Sequence, residues 1–203
     1  MKRVIKKEPE FFSKFVSKEN PSNWQYLITK GLGKEIREYI LLVEQNYQCA
    51  YTEVNIFSDR LSSHIDHFKK RDLFNNLTFN WNNLLVASNN EFYGAKHKDK
   101  IVNIGNQAIY NQLLNPSVDD PKDYFYYSLT GEISPKSIDK HSVSYKKAKI
   151  TIDVFNLNHK SLVNRRKTVV VNISALMVQY ELREILDYIN EFDTFVEEVY
   201  ASL

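Results

Sequence analysis

Ser63-His64-Ile65-Asp66-His67-Phe68 is the stretch around which the rest of the chain is organised. In an extended strand, His64 and Asp66 share one face and His67 lies on the other. Groups that bind metals or move protons thus fill positions where a half-buried strand usually carries Val, Ile or Thr. We therefore expect this strand to contribute to a functional site.

Composition limits the class of protein. The chain has 203 residues, of which 43% are apolar, and this is enough for a globular core. Its apolar runs, such as residues 39–43, are far shorter than the roughly 20 residues that a membrane-spanning helix needs. Residues 1–8 have no apolar signal region. The sequence predicts a cytoplasmic protein that does not insert into a membrane.

The distribution of charge is more informative than the net charge of +2. Basic residues cluster at 69–71, 96–98, 146–149 and 165–167, whereas the stretch that follows Glu181 is mostly acidic. A solvated loop is one explanation of the first cluster, and contact with nucleic-acid phosphates is the other. The residues that we expect to contact phosphates are Lys69, Lys70, Arg71, Lys96 and Lys98.

The hydrophobic pattern predicts an α+β fold that is mostly α. Residues 1–48 have helical periodicity, and short extended segments follow at 49–53, 63–68 and 81–86. Further helices are expected at 87–98, 101–114 and 146–157, with a hairpin between them near 124–133. A long amphipathic helix is expected from Ser174 to Val199. We predict a single domain, 1–203, in which a ββα unit at 49–98 is inserted among helices.

The central strand and the segment that follows it fit phosphodiester hydrolysis. That reaction needs an activated water and positive charge beside the scissile phosphate. Neutral His67 can accept a proton near pH 7, and Asp66 offers an oxygen ligand for a divalent cation. Asn83 is expected to fix the orientation of His67, either directly or through the backbone.

A second metal ligand should come from the following helix, and the sequence leaves its identity open. Asn90 matches better in position and His97 matches better in chemistry, while Glu91 fits less well. His64 is an additional candidate for the site. Hydrogen-bonded structural residues on the strand, with turn and cap roles for the asparagines of 75–90, are the competing explanation.

These motifs together resemble those of HNH endonucleases, which have a ββα-metal fold. The matching segments are Ile65-Asp66-His67-Phe68, Asn82-Asn83-Leu84-Leu85, and Asn90 within 88–91. More narrowly, the chain resembles the HNH nuclease subunit of Septu-type and retron-associated anti-phage defence systems. The segments that match this group cover nearly the full length and lie at 23–24, 44–45, 49–53, 114–116, 119–121, 131–133 and 151–158, with Leu162 and Arg165.

The resemblance implies a metal-dependent endonuclease that cuts DNA and works with a partner ATPase. It implies one divalent ion, Mg²⁺ or Mn²⁺ with Zn²⁺ or Ni²⁺ as alternatives, held by Asp66 and by Asn90 or His97. An inactive HNH-like scaffold that binds DNA or the ATPase is the second hypothesis. A helical interaction module that uses residues 174–199 as its partner surface is the third.

The chain differs in its cysteines from the family that it resembles. Many relatives carry two cysteine pairs that would hold a structural zinc. Here Cys49 is the single cysteine, Thr52 stands at the second position of the first pair, and no cysteine follows Asn83. One thiolate cannot complete a tetrahedral zinc site, so no structural zinc is expected.

Overall fold

The computed structural model describes residues 1–203, and the first part of the chain is helical as predicted. The helices are α1 (Glu10–Glu19), α2 (Trp24–Thr29) and α3 (Leu32–Tyr39), and α3 continues into a first π-helix, Ile40–Gln45. The Asn23 side chain caps α2 by accepting the Tyr26 backbone N–H at 3.0 Å. Gly31 adopts a φ of 83° between α2 and α3, a conformation that glycine permits.

The predicted strand at 49–53 is wrong, because the chain reverses direction there. Glu53 has a φ of 59°, and the backbone N–H of Cys49 bonds to the carbonyl of Val54. A single bridge between Gln48 and Asn55 is the only β pairing in this segment. A tight turn therefore stands where the alternation of residues indicated an extended segment.

Two strands form the centre of the ββα unit. Strand β1 (Ser63–His67) pairs antiparallel with β2 (Leu84–Ser88), and Asp66 lies opposite Leu85. The helical segment that follows begins only at Ala95, later than expected, and continues as a second π-helix, His97–Val102. Of the three extended segments that the sequence indicated, 63–68 and 81–86 thus contain a strand, and a helical segment follows them. Of the helix expected at 101–114, the structure has the end of this π-helix and the short α4 (Gln107–Tyr110).

The second sheet is the predicted hairpin of β3 (Phe125–Tyr127) and β4 (Ile133–Pro135). Helices α5 (Val143–Val154) and α6 (Lys160–Leu176) follow it. The fold is therefore mostly helical with two small antiparallel sheets, which confirms the predicted fold class.

The prediction of one long helix over 174–199 is wrong. The region contains the end of α6, then α7 (Leu182–Ile189) and α8 (Asp193–Ser202). Glu181 and Glu184 form a capping box that starts α7 anew, and Asn190 and Phe192 have left-handed φ values of 53° and 57°. The Phe192 N–H bonds to the carbonyl of Glu53 in the earlier turn and not to a carbonyl of α7, so the helix does not continue there.

No helix in residues 1–203 combines the length and the apolar character that crossing a membrane requires.

Candidate functional site

Strand β1 presents its polar side chains to different environments, as the alternation predicted. Asp66 is buried, with 4% of the residue exposed. Its Oδ2 accepts a hydrogen bond from the Tyr51 hydroxyl and lies 3.2 Å from Nζ of Lys98. Burial alone would raise the pKa of Asp66, but the Lys98 charge, the nearby histidines and the Tyr51 hydrogen bond together outweigh burial and lower the pKa. Asp66 is therefore an ionised carboxylate in a closed environment.

His67 is held in one tautomer by the loop that connects the two strands. Its Nε2 lies 3.0 Å from the carbonyl oxygen of Thr78, and the ring packs edge-on against Trp24 at a centroid distance of 4.6 Å. A carbonyl only accepts, so Nε2 carries the proton and Nδ1 keeps its lone pair. Burial lowers the pKa of His67 to about 4, which leaves the ring neutral at pH 7. Nδ1 has no hydrogen-bond partner and is not among the fully buried atoms.

Asn83 acts on the backbone and makes no hydrogen bond to the imidazole. Its Oδ1 accepts from the Lys69 N–H at 2.8 Å, and its Nδ2 donates to the carbonyls of Lys69 at 3.0 Å and Leu77 at 3.3 Å. These bonds close the loop that carries Thr78. Of the two routes that the sequence left open, the structure has the one through the backbone.

A polar cleft of about 350 Å³ runs along the edge of β1 that is not paired with β2. Lys70 bonds to Asn103 across it, and Arg71 is exposed at its rim. The lining residues are His64, Ile65, Asp66, His67, Lys70, Arg71, Asp72, Asp99 and Asn103. The cleft therefore brings two of the predicted phosphate-binding residues to the strand with the predicted base. A larger cavity of about 510 Å³ lies elsewhere, beside β4 and α5.

The structure does not bring the expected metal ligands together. Asn90 accepts from the Phe92 N–H in a local turn, and Nδ1 of His97 lies 2.9 Å from the carbonyl oxygen of Val154. Neither residue lines the cleft that contains Asp66. No group of three His, Cys, Asp or Glu side chains in residues 1–203 is placed to hold a metal ion. The side chains as they stand do not fit the divalent ion that the resemblance implies.

Two other cleft residues have a buried polar atom that makes no hydrogen bond, Nδ1 of His64 and Oδ1 of Asp99, although the Asp99 atom lies 3.2 Å from the Lys98 ammonium. Burial lowers the pKa of His64. For Asp99, burial followed by the neighbouring Asp66 charge raises the pKa to about 6. His64 was the additional candidate from the sequence, whereas Asp99 was missed because nothing local distinguishes it among the charges of 96–100.

The remaining predicted phosphate contacts differ in accessibility. Nζ of Lys69 lies 5.2 Å from the centroid of the Phe74 ring, and Lys96 is half-buried near Glu91. Lys98 is fully buried, so its side chain cannot serve as the surface contact that its position in a basic cluster indicated. Lys98 follows Ala95 by three residues, a spacing that places both on one helix face. Ala95 is buried too, so this spacing was the one sequence signal that Lys98 could be buried.

Cys49 lies beside the end of strand β2. Its thiol is buried, and Sγ accepts from the Ser88 N–H at 3.4 Å. The Thr52 hydroxyl is also buried and has no partner. Position 52 is thus occupied by a side chain packed inside the protein.

Comparison with known proteins supplies one relative. No family model matches the chain. Over 159 residues, which is 75% of the chain, it is 28% identical to the Septu protein PtuB of Bacillus thuringiensis. The aligned part is 53% of that protein, so the chain spans about half the length of the relative that it matches. By sequence, the chain is a distant relative of a Septu protein.

Proposed function

We propose that this protein is an HNH-type endonuclease of a Septu-type anti-phage defence system, and that it hydrolyses DNA phosphodiester bonds. The observation that carries the proposal is the state of His67, which is neutral, fixed in one tautomer by Thr78 and placed in a polar cleft that Lys70 and Arg71 also line. A neutral imidazole with a free Nδ1 lone pair can accept a proton from water, which is the role of a general base. The relationship to a Septu protein supports the biological setting.

In the proposed reaction, a water molecule in the cleft loses a proton to Nδ1 of His67. Its oxygen bonds to phosphorus as the bond from phosphorus to the leaving sugar oxygen breaks, and solvent protonates that oxygen. Lys70 and Arg71 would hold the phosphate and offset its developing charge. We derive no step through a divalent ion, because the expected ligands do not converge on Asp66.

The resemblance also supports a partner ATPase, which would restrain or direct the nuclease. The cleft contacts that we propose are to phosphate, and phosphate contacts position a nucleic acid without reading its bases. DNA and the ATPase are therefore the partners that an assay should include.

The test is cleavage of plasmid DNA by the purified protein, alone and with the ATPase, in Mg²⁺, Mn²⁺ or EDTA. We expect His67→Ala to lower the cleavage rate by about 10²–10⁴-fold, the usual contribution of a general base. His141→Ala is the matched control, because His141 is exposed and its side chain makes no hydrogen bond. Equal rates for wild type and His67→Ala would remove His67 from the reaction.

The second candidate function is a DNA-binding scaffold that does not cut. The observation that favours it is the filling of the position beside Asp66 by Lys98 in place of metal ligands. The scaffold predicts DNA binding that weakens on Lys70→Ala and Arg71→Ala, with no cleavage under any of the conditions above. Cleavage that depends on His67 would rule the scaffold out.

A further inference from the structure

The ammonium group of Lys98 is surrounded by oxygen atoms inside the protein. Besides Asp66, its Nζ contacts the carbonyl oxygens of His67 at 3.3 Å and Phe68 at 3.0 Å, and it lies 3.2 Å from Oδ1 of Asp99. The side chain is 0% exposed. Carboxylate and carbonyl oxygens converging on one point are the environment that a hard metal cation requires. Here that point is the position of a lysine Nζ.

We infer that Lys98 Nζ is the resident cation of the Asp66 site, and that this ammonium and a divalent metal ion exclude each other there. Two cations about 3 Å apart in a buried environment repel strongly. Asp66 also has little free coordination capacity, because its Oδ2 already accepts from Tyr51. A metal ion can therefore reach Asp66 only after the Lys98 side chain leaves.

The same contacts make Lys98 a positioning residue for β1. By binding the carbonyls of His67 and Phe68, it ties the end of the strand to the second π-helix. Burial alone would lower the pKa of Lys98, but the charges of Asp66 and Asp99 outweigh burial and raise it, so the ammonium is retained. The site keeps its form without a divalent ion. The inference concerns metal binding and does not depend on the proposed hydrolysis.

The experiment measures the melting temperature in EDTA and in Mn²⁺ for wild type, Lys98→Ala and the double variant Asp66→Asn/Lys98→Ala. We expect no Mn²⁺ response from wild type. Lys98→Ala should melt lower in EDTA, and it should gain about 5–10 °C when free Mn²⁺ is a hundredfold above its Kd. The double variant should not respond, because it lacks the carboxylate.

Lys6→Ala is the matched control, because Lys6 is another poorly exposed lysine that pairs with a carboxylate, that of Glu44. It should show no Mn²⁺ response. A wild-type response that the double variant lacks would overturn the inference, and so would a folded Lys98→Ala with no response. If Lys98→Ala does not fold, calorimetric titration of wild type and of the single variant Asp66→Asn with Mn²⁺ decides. Heat of binding present only in wild type refutes the inference, and its absence supports it.

Discussion

Replacing Asn83 with alanine tests whether its amide fixes the loop behind His67. Three hydrogen bonds would be lost, to the N–H and carbonyl of Lys69 and to the carbonyl of Leu77. Each is worth about 0.5–1.5 kcal/mol net, and leaving partly buried backbone groups unpaired adds to the cost. The residue itself is only 5% exposed, so water does not easily replace the amide. We expect Asn83→Ala to lower the free energy of unfolding by about 2–4 kcal/mol.

The neighbouring Asn82 is a matched control, because it is the same residue type but exposed, and its side chain makes no hydrogen bond. Asn82→Ala should change stability by less than about 0.5 kcal/mol. Urea denaturation measures both variants, and the midpoint for Asn83→Ala should fall by about 1–2 M with an unchanged slope. Similar midpoints for the two variants would refute the assignment of Asn83 as the residue that closes the loop.

Two further predictions concern Asp99 and Gly131. Folding raises the pKa of Asp99 from 3.8 to about 6, so its stabilising contribution is complete at low pH and is lost as the pH rises through about 6. Asp99→Asn should therefore be about 1–2 kcal/mol more stable than wild type at pH 8, a value that is reduced because the Asp99 side chain is partly exposed. At pH 4 the two proteins should be equally stable, and urea titrations at the two pH values measure the difference. Gly131→Ala should cost at least about 3 kcal/mol in thermal unfolding, because φ is 81° and a Cβ would lie 2.5 Å from the Val163 carbonyl oxygen. Gly105→Ala, at a position with open space, should cost far less, and equal losses would contradict the steric argument.

Prediction from the sequence worked best where local periodicity decides the structure. The alternation along 63–67 predicted a strand that directs Asp66 and His67 to opposite faces. Strand β1 spans this segment. The sequence also predicted that Asn83 would act through the backbone or the ring. It could not choose between them, because the partners Lys69 and Leu77 reach Asn83 only once the loop has folded.

Prediction failed where a distant contact competes with local preference. The apolar spacing of 174–199 is compatible with one helix, but the Phe192 N–H bonds to the Glu53 carbonyl and the chain bends there. The segment 49–53 alternates like a strand, yet it forms a turn whose Ala50 N–H bonds to the Val86 carbonyl and whose Glu53 carbonyl accepts from the Phe192 N–H. Both outcomes depend on pairings across long stretches of sequence.

The sequence by itself determined the mostly helical class, the strand at 63–67, and the presence of a histidine and a carboxylate on opposite sides of that strand. Only the tertiary structure decided what surrounds them. Lys98 looked like a surface cation because lysine is rarely buried, and it is buried here because Asp66, 32 residues earlier, supplies its counter-charge. Whether a charge faces water or the interior depends on which opposite charge the fold places beside it, and no local pattern contains that information.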